Sequence, residues 1–266
     1  MDFKPVKSPI SWPGGKRRLL KHLLPLIPAH KCYVEVFGGG ASVLLAKAPS
    51  EIEAYNDVDG NLVALFRCAK YHLDALLAEI EWTLNSRREM TDAIAQPGLT
   101  ELQRVARWFV RNKLSFGGLG RHYGTSKVSG GGASLSSRAG RIQALKDFSA
   151  RLDHVNVENL SWEKLIPIYD AQGTCFFLDP PYFTEGCSCY GAFRATDLQA
   201  LADTLARIKG RWILTFEDAP EAREIFAGHH IVSIERQKLI ENRRGAGRTY
   251  REIIVTDRAS EEALAA

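Results

Sequence analysis

The sequence contains little cysteine and no long apolar run. Its five cysteines are odd in number, and their spacings match neither a zinc site nor the disulfide framework of a small secreted protein. They lie at Cys32, Cys68, Cys175, Cys187 and Cys189. No segment is long and apolar enough to span a bilayer, and the first residues lack the apolar stretch of a signal peptide. We therefore expect reduced thiols, no metal site and a cytoplasmic protein.

Acidic residues are missing from one long stretch of the chain. The 266 residues carry a formal net charge of only +4, which by itself says little about partners. Positions 102–146, however, contain no Asp or Glu in a chain that has 31 of them. The basic residues of that stretch are Arg104, Arg107, Arg111, Lys113, Arg121, Lys127, Arg138, Arg141 and Lys146. This pattern favours a surface laid along phosphates, and a solvated basic face is the alternative.

Two loops are candidates for contact with nucleic acid. Residues 116–137 are rich in Gly and Ser, which give a mobile backbone with hydroxyl donors, and residues 238–251 form a second basic loop between predicted strands. The first loop would read base edges, and the second would form a hairpin able to clamp a duplex. The side chains predicted to bind DNA are Arg111, Lys113, Arg121, His122, Tyr123, Lys127, Arg243, Arg244 and Arg248.

Apolar runs alternate with helical patterns over much of the chain. Strands are predicted at 32–37, 52–55, 154–158, 174–178, 211–216, 229–236 and 250–256. Helices are predicted at 16–27, 41–48, 138–152, 161–167, 196–208 and 219–226, and over most of 60–114. The alternation indicates a mostly parallel, doubly wound α/β sheet. Residues 1–60 and 154–266 would form the main domain, and residues 61–153 a mostly helical inserted domain.

The run Asp179-Pro180-Pro181-Tyr182 is the most informative motif. It follows a predicted buried strand, and its prolines forbid both ladder pairing and an immediate helix. The carboxylate of Asp179 is therefore expected at the carboxyl edge of the sheet, where open α/β folds bind ligands. The turn offers the carboxylate of Asp179, the rigid carbonyl of Pro180 and the ring of Tyr182. These groups suit a flat base with an exocyclic amine. An ordinary proline-rich turn is the alternative.

A glycine-rich turn follows the first strand, in the order Glu35-Val36-Phe37-Gly38-Gly39-Gly40. It lacks the spacing of the dinucleotide fingerprint and the Lys-Ser/Thr ending of a P-loop, so phosphate is not the expected ligand. The second strand ends near Asp57, about 20 residues later, where such folds bind ribose hydroxyls. A ribose without a pyrophosphate points to S-adenosylmethionine. The alternatives are a tight turn for the glycines and a helix cap for Asp57.

Together with Trp12-Pro13-Gly14-Gly15-Lys16, these motifs resemble the Dam-type DNA adenine-N6 methyltransferases over nearly the whole chain. In that group the target-recognition region lies between the cofactor loop and the Asp-Pro-Pro-Tyr motif. The run Val36-Phe37-Gly38-Gly39-Gly40 departs from the more usual Pro-Phe-x-Gly-x-Gly. The resemblance implies a Rossmann-like methyltransferase sheet of seven strands, the last one antiparallel, with residues 61–153 as the target-recognition domain.

The resemblance also implies the site residues and the cellular setting. The protein would be bacterial or phage-encoded, would act on double-stranded DNA near the nucleoid and would be a monomer or a homodimer. Whether a cognate restriction enzyme exists is left open. The residues expected to bind S-adenosylmethionine are Trp12, Lys16, Glu35, Phe37, Gly38, Gly39, Gly40, Asp57 and Asp179, and the catalytic group would be Asp179, Pro180, Pro181 and Tyr182.

The chemistry explains why such a turn suits adenine. The exocyclic nitrogen is a poor nucleophile because its lone pair is delocalised into the ring. Asp179 and the carbonyl of Pro180 can accept both amino hydrogens, and Tyr182 can stack on the ring. A paired adenine cannot reach such a pocket, so base flipping is expected.

Two rival functions share the motif. RNA adenine and protein glutamine N-methyltransferases use a related turn, usually soon after the cofactor loop, whereas here Gly40 and Asp179 lie far apart. A catalytically silent DNA-binding regulator is the other rival. The intact Asp179 and Tyr182 argue against it.

Overall fold

The computed structural model describes residues 3–115, 118–124, 137–183, 193–237 and 249–257. Within these ranges the strands are β1 Cys32–Glu35, β2 Ile52–Asn56, β3 Val155–Glu158, β4 Thr174–Leu178, β5 Arg211–Glu217, β6 His230–Gln237 and β7 Thr249–Thr256. The helices are α1 Leu20–Leu23, α2 Gly60–Tyr71, α3 Leu73–Glu81, α4 Arg87–Ala95, α5 Glu101–Leu114, α6 Arg138–Arg151, α7 Trp162–Tyr169, α8 Ala195–Leu205 and α9 Pro220–Ile225. Among the described helices, none is long and apolar enough to cross a membrane.

The strands form one sheet in the order β3-β2-β1-β4-β5-β7-β6. Strand β1 pairs in parallel with β2 and β4, and β4 pairs in parallel with β5. Strand β7 runs antiparallel to both β5 and β6. The predicted seven-stranded, Rossmann-like sheet with an antiparallel last strand is confirmed. The predicted strands also match in position, because runs of buried apolar residues of this length form strands between helices.

By compactness the chain divides into two units, here called unit 1 and unit 2. Unit 2 comprises residues 21–38, 50–59 and 160–266. Its core is built on one face of the strands, since alternate strand residues point to the same face. The core side chains include Val34, Phe176, Leu178, Leu214 and Phe216 from the strands, with Leu165, Leu198, Leu201 and Phe226 from the helices.

Unit 1 comprises residues 1–20, 39–49 and 60–159 and contains helices α2 to α6. Phe66 and Phe148 pack edge to face with ring centroids 4.8 Å apart, which joins α2 to α6. Helix α5 begins with a capping box in which Thr100 and Gln103 bind each other's backbone N–H groups. The mostly helical character predicted for residues 61–153 is thus present, whereas the role of that segment as a target-recognition domain stays a prediction.

The predicted helix at 41–48 is wrong. Residues 42–46 form successive turns, and Ala41 has a positive φ of 53°, which no helix tolerates. Two carbonyls of this segment bind groups outside it: that of Leu44 accepts from Arg151 at 2.7 Å, and that of Leu45 accepts from the N–H of Val6 at 2.9 Å. The helical bonds that do form, from the N–H of Leu45 to Ala41 and from the N–H of Lys47 to Val43, are not consecutive, so no regular helix results.

The predicted helix at 16–27 is broken into short pieces. It consists of a 3-10 turn at Lys16–Arg18, helix α1 and a second 3-10 turn at Leu24–Leu26. Pro25 lacks the N–H that would continue the helical ladder through this segment. Pro25 therefore shortens the helix that the apolar pattern of this segment favours.

Candidate active site

The carboxyl ends of β1, β2 and β4 lie at the same edge of the unit 2 sheet. Glu35 on β1 pairs in register with Tyr55 on β2 and Phe177 on β4. The chain continues from β1 to β2 on one side, whereas β4 flanks β1 on the other. The strand order therefore reverses between β1 and β4, and such a switch point opens a crevice for ligands at the carboxyl ends of the strands.

The loop after β1 lies against its neighbouring strands. The N–H of Val36 donates to the carbonyl of Phe177 at 3.0 Å, and the N–H of Gly38 donates to the carbonyl of Asn56 at 2.8 Å. A Cβ at Gly38 would lie 2.2 Å from a ring carbon of Tyr55, which is fully buried. Only glycine fits there, so the loop backbone approaches β2 more closely than any side chain would allow.

Asn56 holds this loop with its side chain. Its Nδ2 donates to the carbonyls of Val36 at 2.8 Å and Leu160 at 3.0 Å, and its Oδ1 accepts from the N–H of Leu160 at 2.9 Å. One buried amide therefore joins the end of β1, the end of β2 and the segment that precedes α7. Sequence reasoning did not single out Asn56. Its position at a strand end was the available signal.

Two buried carboxylates lie at this edge. Asp57 is 2% exposed, and its Oδ1 accepts from the N–H of Asp59 at 2.8 Å, just before α2 begins. This bond closes an Asx turn just before the helix, and the predicted roles of Asp57 as a ribose ligand or a helix cap stay predictions. Glu35 is 1% exposed and accepts from the hydroxyl of Tyr33 at 3.4 Å. Burial first, and then the charge of Glu35, raises the pKa of Tyr33 well above its usual value.

The Asp-Pro-Pro-Tyr turn leaves the end of β4 and rests on β5. Asp179 is half-buried, and its Oδ1 accepts a hydrogen bond of 2.8 Å from the hydroxyl of Thr215. The ring of Tyr182 is 7% exposed and lies 5.2 Å from that of Phe216. Since this ring is packed in the core, its predicted stacking on adenine stays a prediction. Sequence reasoning missed Thr215 because a buried strand threonine gives no sign of its partner.

Further aromatic side chains surround this turn. The ring of Phe183 lies 4.8 Å from Phe216, and that of Phe193 lies 6.4 Å from both Phe37 and Phe216. Phe37 belongs to the loop after β1, so aromatic contacts link the two predicted site loops of unit 2. The aromatic cluster packs against the core of unit 2 and leaves the rings of Phe37, Phe183 and Phe193 partly exposed at this edge.

The remaining predicted cofactor residues lie in unit 1. A Cβ at Gly39, where φ is 49°, would lie 2.8 Å from Cδ1 of Trp12, and a Cβ at Gly40 would lie 3.2 Å from Cβ of the same residue. Trp12 also packs on Trp108, with ring centroids 6.2 Å apart. Lys16 is buried, and its ammonium donates to the carbonyl of Gly14 at 2.7 Å. Within unit 1, the absence of side chains at Gly39 and Gly40 therefore lets the side chain of Trp12 pack closely against the loop backbone.

Helix α5 fixes the loop that carries the candidate base-reading residues. Oδ1 of Asn112 accepts from the N–H of Ser11 at 3.0 Å, and its Nδ2 donates to the carbonyls of Ser11 at 2.7 Å and Gly118 at 2.8 Å. The N–H of Gly120 donates to the hydroxyl of Ser115 at 2.7 Å. The backbone at 118–124 is thus held, while the side chains of Arg121 and His122 are exposed.

The other predicted DNA-binding residues divide into two groups. Tyr123 packs against Met90, Val110 and Leu114, and Arg111 and Lys113 are half-buried. Lys127, Arg243, Arg244 and Arg248 lie outside the described residues.

Several arginines of the acid-free stretch hold loops in place. The guanidinium of Arg111 donates to the carbonyl of Gly120 at 3.2 Å, that of Arg104 to Leu99 at 2.8 Å, and that of Arg107 to Gln96. Arg141 is buried and donates to Asn85. These arginines therefore stabilise the fold of unit 1 through hydrogen bonds.

Comparison with known families identifies the chain. The model of the D12 class N6 adenine-specific DNA methyltransferases matches residues 12–240. The chain belongs to this family. It is therefore an adenine-specific DNA methyltransferase, and the predicted resemblance is confirmed over the RNA, protein and regulator alternatives.

Individual relatives agree with the family. The protein named Type II methyltransferase M1.LlaDCHI from Lactococcus lactis subsp. cremoris is 24% identical over 267 residues, covering 92% of this chain and 93% of its own length. The protein named DNA N-6-adenine-methyltransferase from Escherichia phage P1 is 22% identical over 235 residues, covering 83% of this chain and 31% of its own length. Modification methylase StsI from Streptococcus sanguinis is 39% identical over 66 residues, or 24% of this chain and 10% of its own.

One solved structure, titled as an rRNA methylase from Streptococcus thermophilus, aligns over 97% of this chain and 99% of its own. The TM-score is 0.35 at 10% identity, and the assignment of the fold rests on the strand order instead.

Proposed function

We propose that this methyltransferase moves a methyl group from S-adenosylmethionine to N6 of an adenine that is turned out of double-stranded DNA at a short specific sequence. The observation that carries the proposal is the position of Asp179. Its carboxylate follows β4 directly at the switch point of the sheet, in a turn whose two prolines hold it there. An acceptor at that place is what an exocyclic amine requires.

The residues at the sheet edge fit the proposed cofactor. Gly38 lies so close to β2 that this part of the sheet edge presents backbone atoms and no side chain. Two buried carboxylates, those of Glu35 and Asp57, lie at the same edge. Carboxylates accept hydrogen bonds from ribose hydroxyls and attract cationic groups, and they repel phosphate. When bound, S-adenosylmethionine supplies a methyl group activated by a sulfonium. The contributions of Trp12, Lys16, Gly39 and Gly40 remain predictions.

The reaction asks the protein to orient and polarise the base. The carboxylate of Asp179 and the carbonyl of Pro180 would accept the two amino hydrogens and so oppose delocalisation of the nitrogen lone pair. Pro181 stiffens the turn, and Tyr182 would stack on the ring. One amino proton must leave as the N–C bond forms, and Asp179, which already accepts that hydrogen, would take it. Orientation of this kind accounts for several orders of magnitude in rate.

Unit 1 would provide the contacts to DNA. The exposed side chains of Arg121 and His122 on a fixed loop suit base edges in a groove. Arg111 on α5 contacts the same loop through the carbonyl of Gly120, and Lys113 lies on the same helix. Turning the target adenine out of the stack follows from the proposed chemistry, because the N6 amino group of a paired adenine cannot reach Asp179 inside a duplex. The names of two relatives, a type II methyltransferase and a modification methylase, extend the proposal to a restriction–modification setting in a bacterial or phage-infected cytoplasm.

The direct test is methyl transfer to unmethylated double-stranded DNA, with modified positions mapped by single-molecule sequencing. The wild-type chain should modify adenine within one short motif, and Asp179→Ala should lose at least about a hundredfold in rate. Asp203→Ala, which removes an exposed carboxylate on α8, is the matched control and should keep the wild-type rate. Label entering RNA or protein instead of DNA, or an active Asp179→Ala, would contradict the proposal.

A further inference from the structure

The turn that carries Asp179 has fewer backbone hydrogen-bond donors than an ordinary turn. Pro180 and Pro181 have no N–H groups, so neither can donate to the sheet or to the turn. Asp179 also lies one residue beyond the end of β4. Contacts from a neighbouring element therefore contribute to the orientation of its carboxylate. Strand β5 is that neighbour, because Leu214 pairs with Leu178 and brings Thr215 alongside Asp179.

The hydroxyl of Thr215 contacts the turn directly. Its Oγ1 lies 2.8 Å from Oδ1 of Asp179 and 3.4 Å from the carbonyl of Leu178. A hydroxyl has a single proton to donate, so the shorter bond, to the carboxylate, is the one that it makes. Thr215 is fully buried within β5, which restricts its rotamer, and its bond to the half-buried Asp179 is partly shielded from water.

The next residue of β5 supports the same turn through its ring. Phe216 contacts Tyr182 and Phe183, at centroid distances of 5.2 Å and 4.8 Å. Consecutive strand residues point to opposite faces of a sheet, so Thr215 and Phe216 hold the two ends of the motif independently. The aromatic contacts support the Tyr182 end, and the hydroxyl of Thr215 contacts the carboxylate of Asp179.

We propose that Thr215 is a positioning residue for methyl transfer: its hydroxyl fixes the rotation of the Asp179 carboxylate and thereby aims the oxygens that accept the adenine amino hydrogens. This inference rests on the proposed role of Asp179. Loss of this bond removes one restraint on rotation about the Cβ–Cγ bond of Asp179, so the carboxylate would be aligned with the amino group for a smaller fraction of the time. The effect therefore falls on the chemical step rather than on binding.

The experiment compares Thr215→Val, which keeps the shape and removes the hydroxyl, with Thr215→Ser, which keeps the hydroxyl. Thr215→Val should lower the single-turnover rate by about 10- to 100-fold, because misorientation of a reacting group by a fraction of an ångström has effects of this size. Thr215→Ser should stay within about threefold of wild type. The Kd for S-adenosylmethionine and for DNA should change by less than about threefold in both.

Thr174→Val is the matched control. Thr174 is also a buried strand threonine, at the opposite end of β4, and its hydroxyl donates to the carbonyl of Tyr169 at 2.7 Å. It should lower the melting temperature without changing the single-turnover rate below the unfolding transition. If Thr215→Val does not fold, Thr215→Ala and Thr215→Ser make the same comparison, since they differ by one oxygen atom.

Each other outcome overturns the inference. A wild-type rate in Thr215→Val excludes a role for the hydroxyl, and an equal loss in Thr215→Ser assigns the effect to the methyl group of the side chain. A loss of cofactor or DNA affinity that accounts for the whole effect assigns it to binding. An active Asp179→Ala would instead show that the proposed function of that residue is wrong, so the two failures are distinguishable.

Discussion

Two buried asparagines do similar work in the two units of this methyltransferase. In unit 2, Asn56 binds the backbone of Val36 and Leu160 through three hydrogen bonds. In unit 1, Asn112 binds the backbone of Ser11 and Gly118, also through three. Both amides are almost fully buried, and each joins segments that are distant in the sequence.

The two regions differ in what surrounds the asparagine. Asn56 ends a strand whose neighbours are already in register, so the sheet positions the loop and the amide adds to it. Asn112 projects from a helix toward the loop at 118–124, where the strand-like support described is a single bridge between Ser115 and Tyr123. Sheet geometry thus fixes the candidate catalytic edge, whereas individual polar side chains fix the candidate recognition loop.

The largest expected effect is at Gly38. An added methyl group would lie 2.2 Å from the buried ring of Tyr55, and the carbonyl of Asn56 at 2.9 Å leaves no room to shift. Gly38→Ala should lower the free energy of unfolding by about 3 kcal/mol or more and weaken binding of S-adenosylmethionine. Denaturant unfolding and calorimetric titration measure the two quantities.

Gly60→Ala is the control for that change. Nothing lies within 4 Å of the corresponding methyl group, at the first residue of α2, where alanine is the better helix former. We expect an effect of less than about 1 kcal/mol there. Equal stability of the two variants would show that the loop after β1 is not constrained by the sheet.

Replacing the two buried asparagines should affect the two regions differently. Asn56→Ala and Asn112→Ala each leave buried backbone groups without their partners, so each should cost about 2 to 3 kcal/mol in unfolding free energy. Asn112→Ala should in addition weaken binding of unmethylated DNA, because the loop with Arg121 and His122 loses its anchor. Titrations with labelled duplex check this. If Asn56→Ala weakens DNA binding as much, the contrast between the regions is wrong.

A smaller, pH-dependent effect is expected at Lys113 in unit 1. Burial first, and then the charge of Arg141, lowers the pKa of Lys113 from 10.5 to about 8. The unfolded chain therefore binds more protons than the folded one between these values, so this lysine makes stability rise with pH across that window. The Lys113→Met variant lacks the amine and therefore lacks this pH-dependent contribution to the free energy of unfolding. The variant should gain most over wild type near pH 7, and the gain should shrink toward pH 10.

The measurement is urea unfolding of both chains at several pH values. Burial raises the pKa values of Cys32 and Cys68, which opposes stability at high pH, but equally in both chains, so the difference isolates Lys113. Lys146→Met, on the exposed face of α6, controls for the loss of one positive charge. A difference between Lys113→Met and wild type that does not change with pH would contradict the expected burial of the amine.

Local patterns were enough for much of the fold. The apolar runs at 174–178 and 211–216 predict β4 and β5 almost to the residue, because a strand buried on both faces consists of a short continuous run of mostly apolar residues. The segment at 41–48 shows the limit. Its composition favours a helix, yet its carbonyls bind Val6 and Arg151, and no local pattern reveals partners that far away.

The sequence by itself determined the family, the order of the strands along the chain and the position of Asp179 after a strand, because motifs and apolar periodicity are local properties. The tertiary structure alone decided which residues hold the site. Thr215 reaches Asp179, and Asn112 reaches Ser11, only because folding brings their hydrogen-bonding atoms to 2.8 Å and 3.0 Å. A hydrogen bond depends on distance in space, and distance in space is fixed by the packing of the whole chain.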